Sequence, residues 1–355
     1  MSRPQKRRVR AADVAAAAGV SPTAVSFVLN GRDSGNIAPD TKKRILETAE
    51  RLGYEPHHLA KSLRSQTTHS LGLVTDAIAT SVFGGRLLAA ATERAHSNGY
   101  ALLLMDLLDR DSETAAAIHE MERRQVDALI YVTMGFRVMS AVPSSRLPLV
   151  MANCTAQSDG ELSVYPDDAY GARQALTHLA ELGHRRVAML TGLWNPLAPG
   201  GPQGNVSGPI RREAFLEAAR DHGVAASVVE GGWGIDDGYA SAMAALDVPA
   251  EERPTALFTI TDRAALGAVI AAAKLGLSVP RDLSIIGFDD EDQMADRCVP
   301  PLTTIALPHA AMGEAAVAMA LDLIEGREIA EPRRALPCDL LVRESTAPPP
   351  IAVAR

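Results

Sequence analysis

Along residues 13–30, DVAAAAGVSPTAVSFVLN, small and apolar positions recur at spacings of three and four, with one interruption at Gly19. This pattern predicts two short helices joined by a tight turn. Asp13 stands where the first helix needs a cap, and the run Ala15–Ala18 lets a second helix come close. Gly19 falls where the turn needs a left-handed backbone, which glycine adopts without steric cost. Val20 is an apolar plug between the helices. Ser21 is placed to cap the second helix, and Pro22 begins it, where a missing N–H costs nothing. Val25, Val28 and Leu29 form its buried stripe, so Pro22, Thr23, Ser26 and Phe27 face outward. A third helix is predicted over 39–52, with Ile45, Leu46, Ala49 and Leu52 on one face. The arrangement is that of a helix-turn-helix, with the second helix as candidate recognition helix; a plain helical hairpin is the alternative.

The period changes at Ser70. SLGLVTD (70–76) is an apolar run suited to a buried parallel strand. Strands are predicted after it over 101–105, 128–132, 147–153, 186–191, 228–230, 256–260 and 283–288. Helices alternate with them over 83–99, 113–124, 169–182, 211–223, 238–246 and 263–275. Alternation of this kind means open parallel sheets covered on both faces by helices, an α/β class. Two such series in succession predict two similar lobes, although the two halves do not match each other in sequence.

Two stretches fall outside this alternation. In 53–66, Gly53 ends the third helix and Pro56 blocks its continuation. His57–Arg64 has the length for one or two helical turns but almost no apolar face. So short a helix is marginal alone in water; it orders only against a partner, DNA or its own copy, unless it is a plain linker. The stretch 192–209, GLWNPLAPGGPQGNVSGP, is glycine-rich but lacks the Gly-Lys-Ser/Thr ending of a phosphate loop. It is read as a flexible loop at a cleft, since clefts in such sheets lie at the carboxyl ends of strands.

Charge separates the ends of the chain. Residues 1–65 hold twelve Lys and Arg against six Asp and Glu, and the remainder 23 against 37, from totals of 35 and 43. A basic head on an acidic body is the asymmetry expected when only one end meets phosphate. At 355 residues the chain suits a small head and two lobes. With 47% hydrophobic but 4% aromatic residues, the core is built of Ala, Leu and Val. No apolar run reaches the ~18 residues of a membrane span, and no apolar core or cleavage site follows the basic N-terminus. The expectation is therefore a cytoplasmic protein without membrane contact. Cys154, Cys298 and Cys338 are far apart and odd in number, as for reduced core thiols, with no metal site. No GxSxG elbow, metal-type histidine pair or dinucleotide glycine fingerprint follows a strand. His178 and His184 are read as surface helix and turn residues, and neither an enzyme nor a cofactor is expected. The tail after Thr346 is proline-rich without a heptad, which argues against a tetramerising coiled coil.

The head motifs DVAAAAGVS, AVSFVLNG, TKKRI and LGYEPHHLAKSLR resemble the lactose-repressor family of bacterial transcription regulators. GLVTDAIATSVF, LGHRRVAMLTG, TDRAALGAV, VPRDLSIIGFDD, PPLTTI and LVREST extend the resemblance, in order, over roughly residues 8–346. The resemblance implies a helix-turn-helix domain over 1–55 and a hinge helix with linker over 56–68. It implies an effector-binding and dimerisation domain over 69–346 and a tail over 347–355. Lobe 1 would take about 69–164 and 306–332, and lobe 2 about 165–304 and 333–346, with the last strands near Leu336–Arg343 returning to lobe 2. The implied fold of the body is the two-lobed one of periplasmic binding proteins, with two doubly wound parallel sheets.

The same resemblance implies a homodimeric repressor on near-palindromic double-stranded operator DNA, controlled by a small-molecule effector. Pro22, Thr23 and Phe27 would face base edges, and Ser21, Ser26 and Asn30 would bond phosphates or place the helix. In the hinge, Leu63 would wedge into the central base step beside Ala60, with His57 nearby. Phe83, Asn153, Arg211, Trp233, Thr261 and Asp289 would line the ligand cleft. Some positions depart from the family. Phe27 replaces a common arginine, which removes a bidentate guanine contact and leaves a ring suited to a thymine methyl. His57 and Thr261 stand where asparagine is usual, Asn153 where aspartate is frequent, and Thr80–Phe83 lacks an Asn-Pro pair. The effector is accordingly a sugar or related polar metabolite, unnamed. A solute-binding protein of the same two-lobed fold without regulatory role is the alternative, and it leaves residues 1–65 unexplained.

Overall fold

The computed structural model describes residues 9–29, 37–54, 67–81, 84–108, 110–158, 160–192 and 204–350. The chain divides into two compact units, 1–68 and 69–355. The first unit holds α1 (Ala11–Ala18), α2 (Pro22–Leu29) and α3 (Pro39–Leu52). Gly19 takes φ 65°, and the Val20 N–H reaches back to the Ala15 carbonyl at 3.0 Å, closing α1. Arg44 of α3 donates from Nε to the Ala18 carbonyl (3.0 Å), so one helix satisfies the open end of another. Val14, Ala15, Ala18, Val25, Val28, Ile45 and Ala49 form the core, with Val20, Leu29 and Leu52 at its rim. Two expectations change. Asp13 lies inside α1, and its carboxylate accepts the Arg10 N–H (2.8 Å) across the first turn. Leu46 faces water at 45% exposure, because the buried stripe of α3 runs through Ile45, Thr48 and Ala49.

Among the described residues, the second unit contains two six-stranded sheets. The first comprises β1 (Ser70–Thr75), β2 (Ala101–Asp106), β3 (Ala128–Met139), β4 (Leu149–Ala156), β5 (Ser163–Asp167) and β11 (Arg333–Pro337). The second comprises β6 (Arg186–Gly192), β7 (Ala225–Gly231), β8 (Ala256–Thr259), β9 (Ser284–Asp289), β10 (Thr303–Ala306) and β12 (Asp339–Leu341). Their orders are 2-1-3-4-5-11 and 7-6-8-9-10-12, and only β12 runs antiparallel. The duplication that the sequence does not reveal is thus plain in the topology. Helices α4 (Gly84–Ser97), α5 (Thr114–Arg123) and α10 (His309–Ile324) serve the first lobe. Helices α6 (Asp168–Glu181), α7 (Ser207–Asp221), α8 (Ile235–Leu246) and α9 (Asp262–Lys274) serve the second. Close helix packing rests on bare backbone. A Cβ on Gly313 would lie 2.3 Å from the Leu87 carbonyl, and one on Gly238 2.3 Å from the Ala264 carbonyl.

The chain passes between lobes three times, at 167–168, 306–309 and 337–339. Arg333–Pro337, expected in lobe 2, pairs with β5 in the first sheet, and only β12 returns to the second. Its adjacent arginines and closing proline offer no apolar pattern to assign it by. Helix α10, whose apolar residues show little periodicity, fills the first lobe's core with Met312, Ala316, Val317 and Ala320. His184, expected at the surface, is fully buried. Its Nε2 donates to the Ala347 carbonyl (2.9 Å) while Nδ1 meets the Thr255 hydroxyl (2.8 Å), so this histidine docks the C-terminal segment. Cys154 and Cys338 are buried free thiols, as expected, and Cys298 is half-buried. No single helix among the described residues is long and apolar enough to cross a membrane.

Candidate nucleic-acid interface and ligand cleft

The head offers one face of α2. Ser21 caps it as expected, accepting the Ala24 N–H at 3.2 Å. Val25 and Val28 are buried, while Ser21, Pro22, Thr23 and Phe27 are exposed and Ser26 half-buried. The outward face read from the sequence is the one observed. Asn30, His57, Ala60 and Leu63 lie outside the described residues, as does Phe83 of the cleft set.

In the second unit, polar side chains gather where the strands of both sheets end, the position that an order reversal between β1 and β3, or β6 and β8, opens for a ligand. In the second lobe Arg211 is central. Its Nε donates to Asp168 Oδ1 and its Nη1 to the Ile260 carbonyl, both at 2.7 Å. The guanidinium lies 3.4 Å above the centre of the Phe288 ring, and Nη1 is 3.8 Å from Asp289. Asp289 and Asp290 hold φ of 107° and 52°, left-handed conformations that non-glycine residues keep only where surroundings enforce them. Burial drives the Asp289 carboxyl well above its ordinary range, outweighing the attraction of Arg211.

Trp233 follows β7 and packs against Gly192, where a Cβ would come within 2.6 Å of the indole. Thr261 caps α9 and donates to the Trp233 carbonyl (2.9 Å) while accepting the Ala264 N–H (3.1 Å). Its hydroxyl is thus a strut for the tryptophan loop. Asp262 beside it accepts from the Thr304 hydroxyl (2.6 Å) and the Glu291 N–H (2.7 Å). Burial raises this carboxyl to about 7. Gly287 makes the room, since a Cβ there would meet Asp262 Oδ1 at 2.0 Å.

The first lobe contributes Asn153 within β4, also left-handed (φ 57°), whose Nδ2 donates to the Thr133 carbonyl (2.9 Å). Asp76 follows β1, fully buried, accepts the Ala77 and Met134 N–H groups (2.7 Å each) and pairs with Arg137 (2.9 Å). Arg137 pairs in turn with Asn205 through a backbone bridge between lobes, next to a stack of Phe136 on Tyr165. A second tie joins the lobes: Arg86 of α4 donates to Asp292 (2.7 Å) and Asp290 (3.1 Å), and Arg343 holds Asp290 from the other side (2.6 Å).

The structure therefore brings Arg211 to Asp289, and Thr261 to Trp233, and leaves Asn153 on the opposite lobe. Sequence reading missed Asp76, Arg137, Asp168 and Asp262. Asp76 was signalled, since it ends an apolar strand at the carboxyl side. Arg137 carries no such signal: the apolar run of β3 ends at Val132, whereas the strand continues past an irregularity to Met139.

A helix-turn-helix unit in one chain with two matched α/β lobes, whose strand ends converge on buried charge, defines a class: DNA-binding regulators that carry their own small-molecule sensor. Comparison with known proteins agrees. Residues 11–57 match the model of bacterial regulatory proteins of the lacI family, and residues 176–346 that of a periplasmic binding protein-like domain. The sucrose operon repressor of Escherichia coli is 32% identical over 344 residues, covering 94% of this chain and 98% of that one. The HTH-type transcriptional repressor CytR of Escherichia coli (strain K12) is 28% identical over 339 residues, covering 94% and 95%. The crystal structure of the lac repressor dimer bound to operator and the anti-inducer ONPF superposes with a TM-score of 0.78 at 25% identity, covering 96% of this chain and 100% of that one. The chain belongs to the lacI family of bacterial regulatory proteins. It is a DNA-binding transcriptional regulator and not an enzyme.

Proposed function

We propose that the protein is a homodimeric repressor of carbohydrate-metabolism genes, acting in the cytoplasm on near-palindromic operators and controlled by a sugar or related polar metabolite. The observation that carries the effector reading is the convergence of Arg211, Asp289 and Trp233 on the strand ends of one lobe, opposite Asn153 and Asp76 on the other. Carboxyl groups, an amide and a guanidinium supply fixed hydrogen-bond partners for hydroxyls, and an indole supplies an apolar face for a pyranose ring. In this reading Ser21, Pro22, Thr23, Ser26, Phe27 and Asn30 meet the operator, and His57, Ala60 and Leu63 form the hinge contact. Phe83 joins the cleft set, and Thr261 acts through the tryptophan loop.

Ligand shifts the lobe arrangement only by the difference in its affinity for the two arrangements. A coupling of about 1–3 kcal/mol changes operator affinity roughly 5–150-fold. The test is selection of operators from random DNA with the full-length chain, followed by binding titrations with a panel of sugars and phosphorylated sugars. At least one compound alters operator affinity several-fold, and binding falls steeply with salt. A sequence preference that no compound alters defeats the effector reading.

A further inference from the structure

The outward face of α2 carries no group suited to paired hydrogen bonds with a base. Pro22 has no N–H, Thr23 and Ser26 end in short hydroxyls, and the Ser21 hydroxyl accepts the Ala24 N–H. Arg44, the cation of α3 that lies against α1, is turned to the Ala18 carbonyl. At this face Phe27 leaves 42% of its surface in water, one turn from the exposed Thr23. A guanine O6/N7 edge asks for a forked donor and an adenine edge for an amide, and Pro22, Thr23, Ser26 and Phe27 supply neither. A thymine presents a C5 methyl in the same groove, which an aromatic ring and a threonine methyl complement by excluding water. The excess positive charge of residues 1–65 supplies the phosphate attraction that holds this apolar face in the groove.

We infer that this head reads its operator half-sites through major-groove methyl groups, with Phe27 as the specificity-determining side chain and Thr23 beside it. This inference rests on α2 being the recognition helix. The natural partner is a thymine at a fixed position of each half-site, and a 5-methylcytosine at that position is an equivalent partner.

The experiment uses the full-length protein and the operator selected from random DNA. Each thymine is replaced singly by deoxyuridine, which deletes the methyl and nothing else. At one position per half-site affinity falls about fourfold, and about fifteenfold when both half-sites lose the methyl. Changing that thymine to cytosine weakens binding, and 5-methylcytosine restores part of the loss. Phe27→Ala binds thymine and deoxyuridine operators alike, with an unchanged salt slope and an unchanged circular-dichroism melt. Phe27→Leu, which stays apolar, keeps part of the discrimination and guards against a folding artefact. Equal affinity for thymine and deoxyuridine operators at every position overturns the inference while leaving α2 as the reading helix. Discrimination that survives Phe27→Ala overturns the role of Phe27. A protein with no sequence preference overturns both this inference and the reading on which it rests.

Discussion

Arg211 and Asp168 form a buried ion pair whose two members can be removed separately or together. Arg211→Met deletes the cation bonded at 2.7 Å to Asp168 and at 2.7 Å to the Ile260 carbonyl. It strands a carboxylate that is 1% exposed, in a residue whose other oxygen has no hydrogen-bond partner among the described residues. Asp168→Asn does the converse, leaving the guanidinium with one carbonyl, an aromatic face and Asp289 at 3.8 Å. Removing one partner of a buried pair costs about 3–5 kcal/mol, whereas replacing both by neutral groups of similar volume is often close to neutral. Each single variant is therefore expected to lose about 3–5 kcal/mol. The double variant loses no more than one single does, a coupling of at least about 3 kcal/mol. Both tryptophans of the chain, Trp194 and Trp233, fall in the second unit, so urea unfolding followed by indole fluorescence reports this unit and not the head. If the losses in the double variant simply add, Arg211 and Asp168 are not energetically a pair, and the account of how the second lobe holds its central cation is wrong.

Three other outcomes are expected. Burial holds the His309 imidazole down from 6.5 to about 4, so between these values the unfolded chain binds the extra proton. Its contribution to stability is complete above pH 6.5, shrinks as pH falls and is exhausted near pH 4, about 3 kcal/mol in all. Raised carboxyls such as Asp262 act in the opposite sense, lowering stability as pH rises from 3.8 to about 7. The informative quantity is thus the stability difference between wild type and His309→Gln across pH, and a flat difference rejects the assignment. Gly238→Ala sets a methyl 2.3 Å from the Ala264 carbonyl and should cost about 1–3 kcal/mol or more as α8 and α9 separate; an unchanged melting temperature argues against the close packing. Arg86→Met removes the lobe tie to Asp290 and Asp292, and a larger radius of gyration by X-ray scattering and weaker binding of any active sugar are expected, whereas unchanged values of both leave the tie without a role.

Local rules carried the head far. Gly19, Ser21 and Pro22 are each tied to one backbone geometry, so turn, cap and helix start were legible residue by residue. The alternating series after Ser70 was equally readable, because buried parallel strands and their helices have distinct periods. What stayed hidden depends on contacts between distant segments. Arg333–Pro337 has two arginines and a proline, and only its edge position beside β5 makes it a strand. Helix α10 is apolar on most sides, since it is buried against the first sheet and α4 together, and so it shows little periodicity. In the cleft, Asp289 was marked by the family resemblance, its place after an apolar strand fitting a plain turn equally well. Asp168 and Asp262 read as ordinary first-turn acids, because neither the Arg211 that meets one nor the Thr304 that meets the other is near in sequence.

The second interlobe passage gives the body an order of manufacture. The first lobe begins near residue 69, yet its sheet is closed by β11 and its core by α10, both encoded after residue 306. A growing chain released by the ribosome up to that point already contains every residue of the DNA reader but neither finished half of the metabolite gauge. Truncations and frameshifts in the last sixth of the gene should therefore remove the sugar response and the pairing of two heads together, rather than blunt the response alone.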